Sequence, residues 1–381
     1  MHRKHVVLAL ACVSIGALAG LGWLLTCERK SARATHLTLA PQSASLPPDL
    51  AEEARIDARL RRVEAVLATA VDRGLPRGAT AWAVMHYLLA IGGYPGTTDK
   101  PNTKAGLLLG ALPASEAQSP FLCIKDSVVA ARGLGAEAHV SQFLSMLCSI
   151  GVEGDQIIGP TPKATLGNLY ACELRRMSLE VDCSWSLQST LLFGGMEQHW
   201  ENKQGEQLSV RALVAAVLAE NQRACWGCHR LMSLATAYRV LGSSGTTSDA
   251  DLRERCRIVL AEALERARMR QLQDGLLAPE IDNNSPDHPQ LVLISFTGHS
   301  LEWMCSFLPP SECRSDPHVL GSVDGLISAV EKLQREPAGR LYTNGQAFSW
   351  GAYCHALRGL SAWKESLAKR RVALLFSSEE P

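Results

Sequence analysis

Thr297-Gly298-His299-Ser300-Leu301-Glu302-Trp303 sets a histidine beside a glycine at the head of an apolar run, and the chain repeats that arrangement. Trp82-Ala83-Val84-Met85-His86-Tyr87-Leu88-Leu89, Trp226-Gly227-Cys228-His229-Arg230-Leu231-Met232 and Trp350-Gly351-Ala352-Tyr353-Cys354-His355-Ala356-Leu357 share the theme. His139-Val140-Ser141-Gln142-Phe143-Leu144 is a fainter fifth copy. Helical units of this kind cannot each bury their own apolar face, so they stack or close into a ring. The pattern predicts an all-α fold, an α/α toroid of helical hairpins, (α/α)6-like. If each unit starts in the same way, His86, His139, His229, His299 and His355 gather at one end of the ring.

The segments around these stretches agree. Apolar residues at helical spacing predict helices over 51–71, 80–91, 136–150, 166–179, 210–221, 229–241, 249–273, 298–307, 319–335 and 352–366. Breaks fall at Gly92-Gly93-Tyr94-Pro95-Gly96, Gly242-Ser243-Ser244-Gly245 and Asp282-Asn283-Asn284-Ser285-Pro286. Strand signals are scarce. The acidic loop Pro279-Glu280-Ile281-Asp282 reads as a solvated turn or as a loop reaching a cavity mouth.

The N-terminus supplies an address. His2-Arg3-Lys4-His5 precedes an uncharged apolar run from Val6 to Cys27, closed by Glu28-Arg29-Lys30. About 20 apolar residues span the hydrocarbon core of a bilayer. Residues 1–30 are therefore read as a single-pass anchor or signal in the cytoplasmic (inner) membrane, with the body on the outer, periplasmic side. Leu24-Leu25-Thr26-Cys27 also resembles a lipobox, which would make Cys27 a lipidated first residue. Residues 31–50, rich in Ser, Ala, Thr and Pro, form a linker, and 51–381 form the toroid domain.

Lys+Arg and Asp+Glu both total 38 in the 381 residues, so no basic surplus points to nucleic acid as a partner. Hydrophobic residues make up 46% of the chain, enough for a large core. Twelve cysteines in an exported chain raise the expectation of disulfides, with Cys172/Cys183 and Cys305/Cys313 close enough in sequence to pair. Small buried thiols are the alternative for each.

Cys225-Trp226-Gly227-Cys228-His229 has the Cys-x-x-Cys-His spacing of c-type haem attachment. His229, however, runs straight into an apolar helix, and it already fits the recurring pattern. A zinc site here would need a further ligand such as Cys256 or His199. No metal site and no cofactor are assigned, with haem c on Cys225, Cys228 and His229 kept as an alternative. Nucleophile-elbow, P-loop and His-Glu-x-x-His motifs are absent.

The Gly298-His299-x-x-Glu302-Trp303 stretch resembles that of N-acylglucosamine 2-epimerase-like enzymes, (α/α)6 barrels acting on sugars. More broadly the chain resembles uncharacterised membrane-anchored bacterial α/α-toroid proteins, shaped like the squalene-cyclase and prenyltransferase folds. The Asp-rich initiation motif of terpene cyclases is missing, which argues against a cyclase. The first resemblance implies His299 as acid/base and Glu302 as its partner. The two lie three apart on one helical turn, and a histidine near neutral pKa suits proton transfer at a sugar carbon. His86, Cys225, His229, Trp303 and His355 are expected to line the pocket. Three functions stay open: a carbohydrate-active enzyme (a sugar isomerase, epimerase or glycan-cleaving type), a non-catalytic binding protein or scaffold using the concave face for a glycan or small molecule, and a c-type haem protein.

Overall fold

The computed structural model describes residues 48–75, 79–91, 121–124, 127–130, 137–159, 164–220, 224–242, 247–279, 289–336 and 347–377. The chain divides into two units, Met1–Pro47 and Pro48–Pro381. The first unit lies outside the described residues, and so do the anchor and lipobox readings and most of the linker. No helix among the described residues is long and apolar enough to cross a membrane.

The second unit is mostly helical, as the periodicity predicts. In chain order its helices are α1 (Pro48–Arg73), α2 (Ala81–Ile91), α3 (Gln142–Ser149), α4 (Leu166–Arg176), α5 (Ser184–Phe193), α6 (Val210–Ala219), α7 (Cys228–Leu241), α8 (Thr247–Met269), α9 (Gln290–Phe307), α10 (Pro310–Ser315), α11 (Pro317–Arg335) and α12 (Ala347–Ser377). α1 begins at Pro48, inside the stretch read as linker. α5 and α10 carry no clear apolar spacing in the sequence. The strands among the described residues make three small antiparallel pairs: Phe121–Ile124 with Ser127–Ala130, Ile157–Gly159 with Ala164–Thr165, and His199–Glu201 with Gln207–Ser209.

Helix pattern decides position. α2 is apolar on nearly every side and is buried throughout except at Trp82, as expected of a helix with neighbours all round. α1 instead buries only Ile56, Val63, Val66, Leu67 and Ala70, one stripe of an otherwise polar helix. Its outer face meets α11 through Arg59, whose guanidinium donates to both carboxylate oxygens of Asp324 at 2.8–3.0 Å. Local signals set several starts. Thr165 and Asn168 form a capping box on α4, and the Ser209 hydroxyl caps α6. Asp316 accepts from the His318 and Val319 amides ahead of α11, with Pro317 at the first helical position.

Six of the helices pack in a closed cycle. α2 lies on α3, α3 on α5, α5 on α7, α7 on α9, α9 on α12, and α12 returns to α2. α1, α6, α8 and α11 pack against members of that cycle. Trp185, Trp303, Trp363 and Tyr353 are wholly buried within the unit.

The expected disulfides are not formed. Cys148, Cys172, Cys183, Cys225, Cys228, Cys256, Cys305, Cys313 and Cys354 are free thiols. Cys183 donates to the carbonyls of Val181 and Ser178 rather than meeting Cys172. Cys305 and Cys313 are neighbours, as the sequence suggests, but they share a thiol hydrogen bond.

Candidate functional site

The recurring histidines do come together, though not by starting their helices. His229 is the second residue of α7, but His86, His299 and His355 lie well inside α2, α9 and α12, and His139 precedes α3. The apolar residues before His86, His299 and His355 extend their helices backward, so these three rings sit mid-helix and buried instead of at an end. The five rings form one chain of contacts. His86 meets His355 at 5.1 Å between centroids, His355 meets His299 at 3.6 Å, His299 meets His229 at 5.0 Å, and His229 meets His139 at 4.9 Å. Trp185 on α5 packs on His229 at 4.6 Å. Four helices of the closed cycle thus carry one of these histidines each, α5 adds Trp185, and His139 stands just ahead of α3.

The close contact between His299 and His355 depends on glycine. A Cβ on Gly359 would lie 2.6 Å from the carbonyl oxygen of Gly298, so the α9 and α12 backbones touch at this pair. Glu302, one turn beyond His299, then reaches both rings. Its Oε1 is 3.6 Å from Nδ1 of His299 and 3.8 Å from Nδ1 of His355.

Burial controls the charge state here. His86 and His299 are held well below the ordinary histidine value, first by burial and then by the neighbouring histidines. Burial lowers His355 to about 3. Burial also raises Glu302 to about 8, with Arg358 acting in the opposite direction. At neutral pH the site is a set of uncharged imidazoles beside a protonated carboxyl group. The His86 Nδ1 donates to the Trp82 carbonyl at 2.7 Å, which leaves its Nε2 as an acceptor.

Several buried polar atoms of this region have no partner: His229 Nδ1, His299 Nε2, Glu302 Oε1, Trp185 Nε1 and Gln188 Oε1. Such an atom costs roughly 1–3 kcal/mol, and a group of them in one place marks a site completed by a ligand, ion or water.

Glu302 also lines a cavity of about 490 Å³, together with Ser149, Gln188, Thr236, Ser306, Arg239 and Arg358. His299 and His355 are not among the lining residues and stand behind Glu302. Sequence reasoning missed most of this lining, although one signal was present. Ser306 is four residues after Glu302 on α9, and Arg358 is three after His355 on α12, one helical turn toward the same space. Trp303 points elsewhere, lining a separate pocket of about 80 Å³ with Trp226, Phe296 and Ser300.

The Cys-x-x-Cys-His turn is unusual in its backbone. Cys225, Trp226 and Gly227 take φ of 46°, 57° and 81°, three left-handed residues in succession. A left-handed non-glycine residue costs roughly 1–2 kcal/mol. The turn sets the two thiols apart. Cys228 is buried and hydrogen-bonded to Ser300, while Cys225 faces His139 and His229. Burial raises Cys225 to about 12 and Cys228 well above the ordinary thiol value, so neither is a ready nucleophile. Cys228 is buried, and the His229 ring is packed on His139, Trp185 and His299, so an attached porphyrin would require this turn to rearrange.

Two sets of side chains have the spacing to hold a metal ion: His139, Cys225 and His229, and His299, Glu302 and His355. In each set the ligand atoms lie within 4.8 Å of one another. The sequence reading assigned no metal ligands and looked to Cys256 or His199 for a further one. The structure supplies His139 instead, 86 positions before Cys225. Comparison with known proteins adds no relative: no family model, no curated protein and no solved structure matches this chain.

Proposed function

We propose that the chain is an enzyme acting on a small, hydroxylated, negatively charged molecule of the sugar-acid or sugar-phosphate class, with Glu302 as the acid/base. The observation that carries this reading is the position of Glu302. One of its oxygens faces His299 and His355, and the residue also lines the cavity with Arg239 and Arg358. The Arg239 guanidinium favours an anionic group on the ligand, and Arg358, one of whose nitrogens donates to Glu365 at 2.9 Å, keeps further N–H groups for it. The Ser149, Thr236 and Ser306 hydroxyls and the Gln188 amide suit sugar hydroxyls.

The roles differ from those implied by the resemblance. Glu302 touches the substrate, and His299 and His355 are positioning residues that stand against its carboxyl group. A carboxyl group poised near neutrality can protonate a substrate oxygen and recover the proton in the next step. The closed cycle of six helices supports reading the fold as an α/α toroid, with the cavity inside it. Residues 1–30 would tether this body to the outer side of the cytoplasmic membrane.

Calorimetric titration of the full chain with neutral, uronic and phosphorylated sugars tests the reading. Acidic members should bind about tenfold more tightly than neutral ones, a difference of roughly 1.4 kcal/mol, and Arg239→Ala should erase that preference. Turnover of the bound sugar should fall at least roughly 100-fold in Glu302→Gln. Binding without turnover would instead support a non-catalytic glycan-binding protein. Failure of every sugar to bind would overturn the proposal.

A further inference from the structure

We propose that His139, Cys225 and His229 bind a divalent cation of the zinc class, leaving a fourth coordination position open. This site is separate from the Glu302 cavity and does not rest on the function proposed above.

The geometry comes first. The three ligand atoms lie within 4.8 Å of one another. Zinc bonds of about 2.0–2.1 Å to nitrogen and 2.3 Å to sulfur place neighbouring donors of a tetrahedron roughly 3.3–3.6 Å apart. A closing movement of about an ångström completes the set. Two of the residues stand on the same short turn and helix start, so only His139 comes from a distant segment.

Two independent observations point to a ligand at this place. His229 is 3% exposed, and its Nδ1 has no hydrogen-bond partner. The backbone from Cys225 to Gly227 is left-handed at each residue, a strained shape held where it brings the Cys225 sulfur to the two imidazoles.

Chemistry then selects the ion. Two imidazoles and a thiolate are too soft for magnesium or calcium and suit zinc or cobalt(II). Binding replaces the S–H bond of Cys225 with a metal–sulfur bond, and the proton leaves to solvent. His139 and Cys225 are only half-buried, which gives the ion a way in. Cys228, held by Ser300, is not a ligand, so three protein donors leave one position for water or substrate, as in open zinc centres.

The test is cobalt(II) and zinc titration of the metal-stripped full chain, with zinc content per chain measured by emission spectroscopy. One ion per chain is expected, with a thiolate-to-cobalt charge-transfer band in the near ultraviolet. Cys225→Ser should abolish that band, and His139→Ala and His229→Ala should each remove the bound ion. Cys228→Ser and Glu302→Gln should retain both ion and band. Should His229→Ala fail to fold, the near-isosteric Cys225→Ser still decides the matter. An ion retained by Cys225→Ser but lost in Glu302→Gln would place it at His299, Glu302 and His355 and overturn the proposal. So would a chain that takes up no ion, or a cobalt complex without the thiolate band.

Discussion

A Cβ on Gly298 of α9 would come 2.4 Å from the carbonyl of His355 on α12, a separation that side chains do not adopt. The glycine beside His299 is therefore a packing requirement. It lets the two helices that carry His299, Glu302 and His355 approach until the rings are 3.6 Å apart.

Gly298→Ala should force α9 and α12 apart. Overpacking of this kind costs roughly 1–3 kcal/mol, and the obstacle here is backbone rather than a flexible side chain. A lowered melting temperature is expected, with loss of sugar binding exceeding that of Ser306→Ala at the cavity wall. An unchanged melting temperature would mean that the helices do not touch at this glycine.

Glu302 should give stability a distinctive pH dependence. The native chain keeps its proton up to about pH 8, whereas the unfolded chain releases it near the ordinary value of 4.5. Between these limits the native state binds more protons, so its stability falls as pH rises. His355 acts oppositely and lower, losing stability as pH falls from 6.5 toward 3. The histidines lowered by burial act in the opposite sense up to about pH 7.5, and they are common to wild type and Glu302→Gln. In denaturant melts from pH 6.5 to 8, the stability of wild type relative to Glu302→Gln should therefore fall, and a constant difference would show that Glu302 does not titrate late.

Asp249 is wholly buried at the start of α8, and Arg211 meets it side-on, Nε to Oδ1 at 2.6 Å and Nη2 to Oδ2 at 2.9 Å. Removing one partner of a buried pair leaves a charge in a poor environment, at a cost of about 3 kcal/mol. Arg211→Ala should be destabilised by that order in urea melts. Arg211→Lys, which cannot form the two-pronged contact, should fall between it and wild type. Equal stability of all three would show the pair to be neutral.

The chain exported with a cytochrome-maturation system present should carry no covalent haem. Staining of a denaturing gel and an absorbance scan read this directly. A haem band lost in Cys228→Ser would show that the turn opens in a way these contacts do not allow.

Much of this was legible from residue order. Helical periodicity is local, so the α2, α7, α9, α11 and α12 stretches could be recognised, and the repeated histidines could be expected to converge. α5 is not legible, because Ser184 to Leu191 are buried on every side of the helix and show no stripe. The helix starts of α9 and α12 were misplaced, since apolar residues before His299 and His355 continue the helix instead of ending a loop. The disulfide expectation failed for a related reason. Nearness in sequence says nothing of where a thiol points, and Cys183 points to its own loop carbonyls.

Sequence by itself determined the helical character, the sites of most helices and the presence of one histidine per repeat, because each depends on neighbours within a few turns. Tertiary structure alone decided what those histidines do. His139 meets Cys225 and His229 across 86 and 90 positions, Glu302 turns to the cavity with His299 behind it, and Arg239 and Arg358 arrive from two other helices. Such meetings depend on how six helices close on one another, and that is set by packing of whole faces and by two touching glycines.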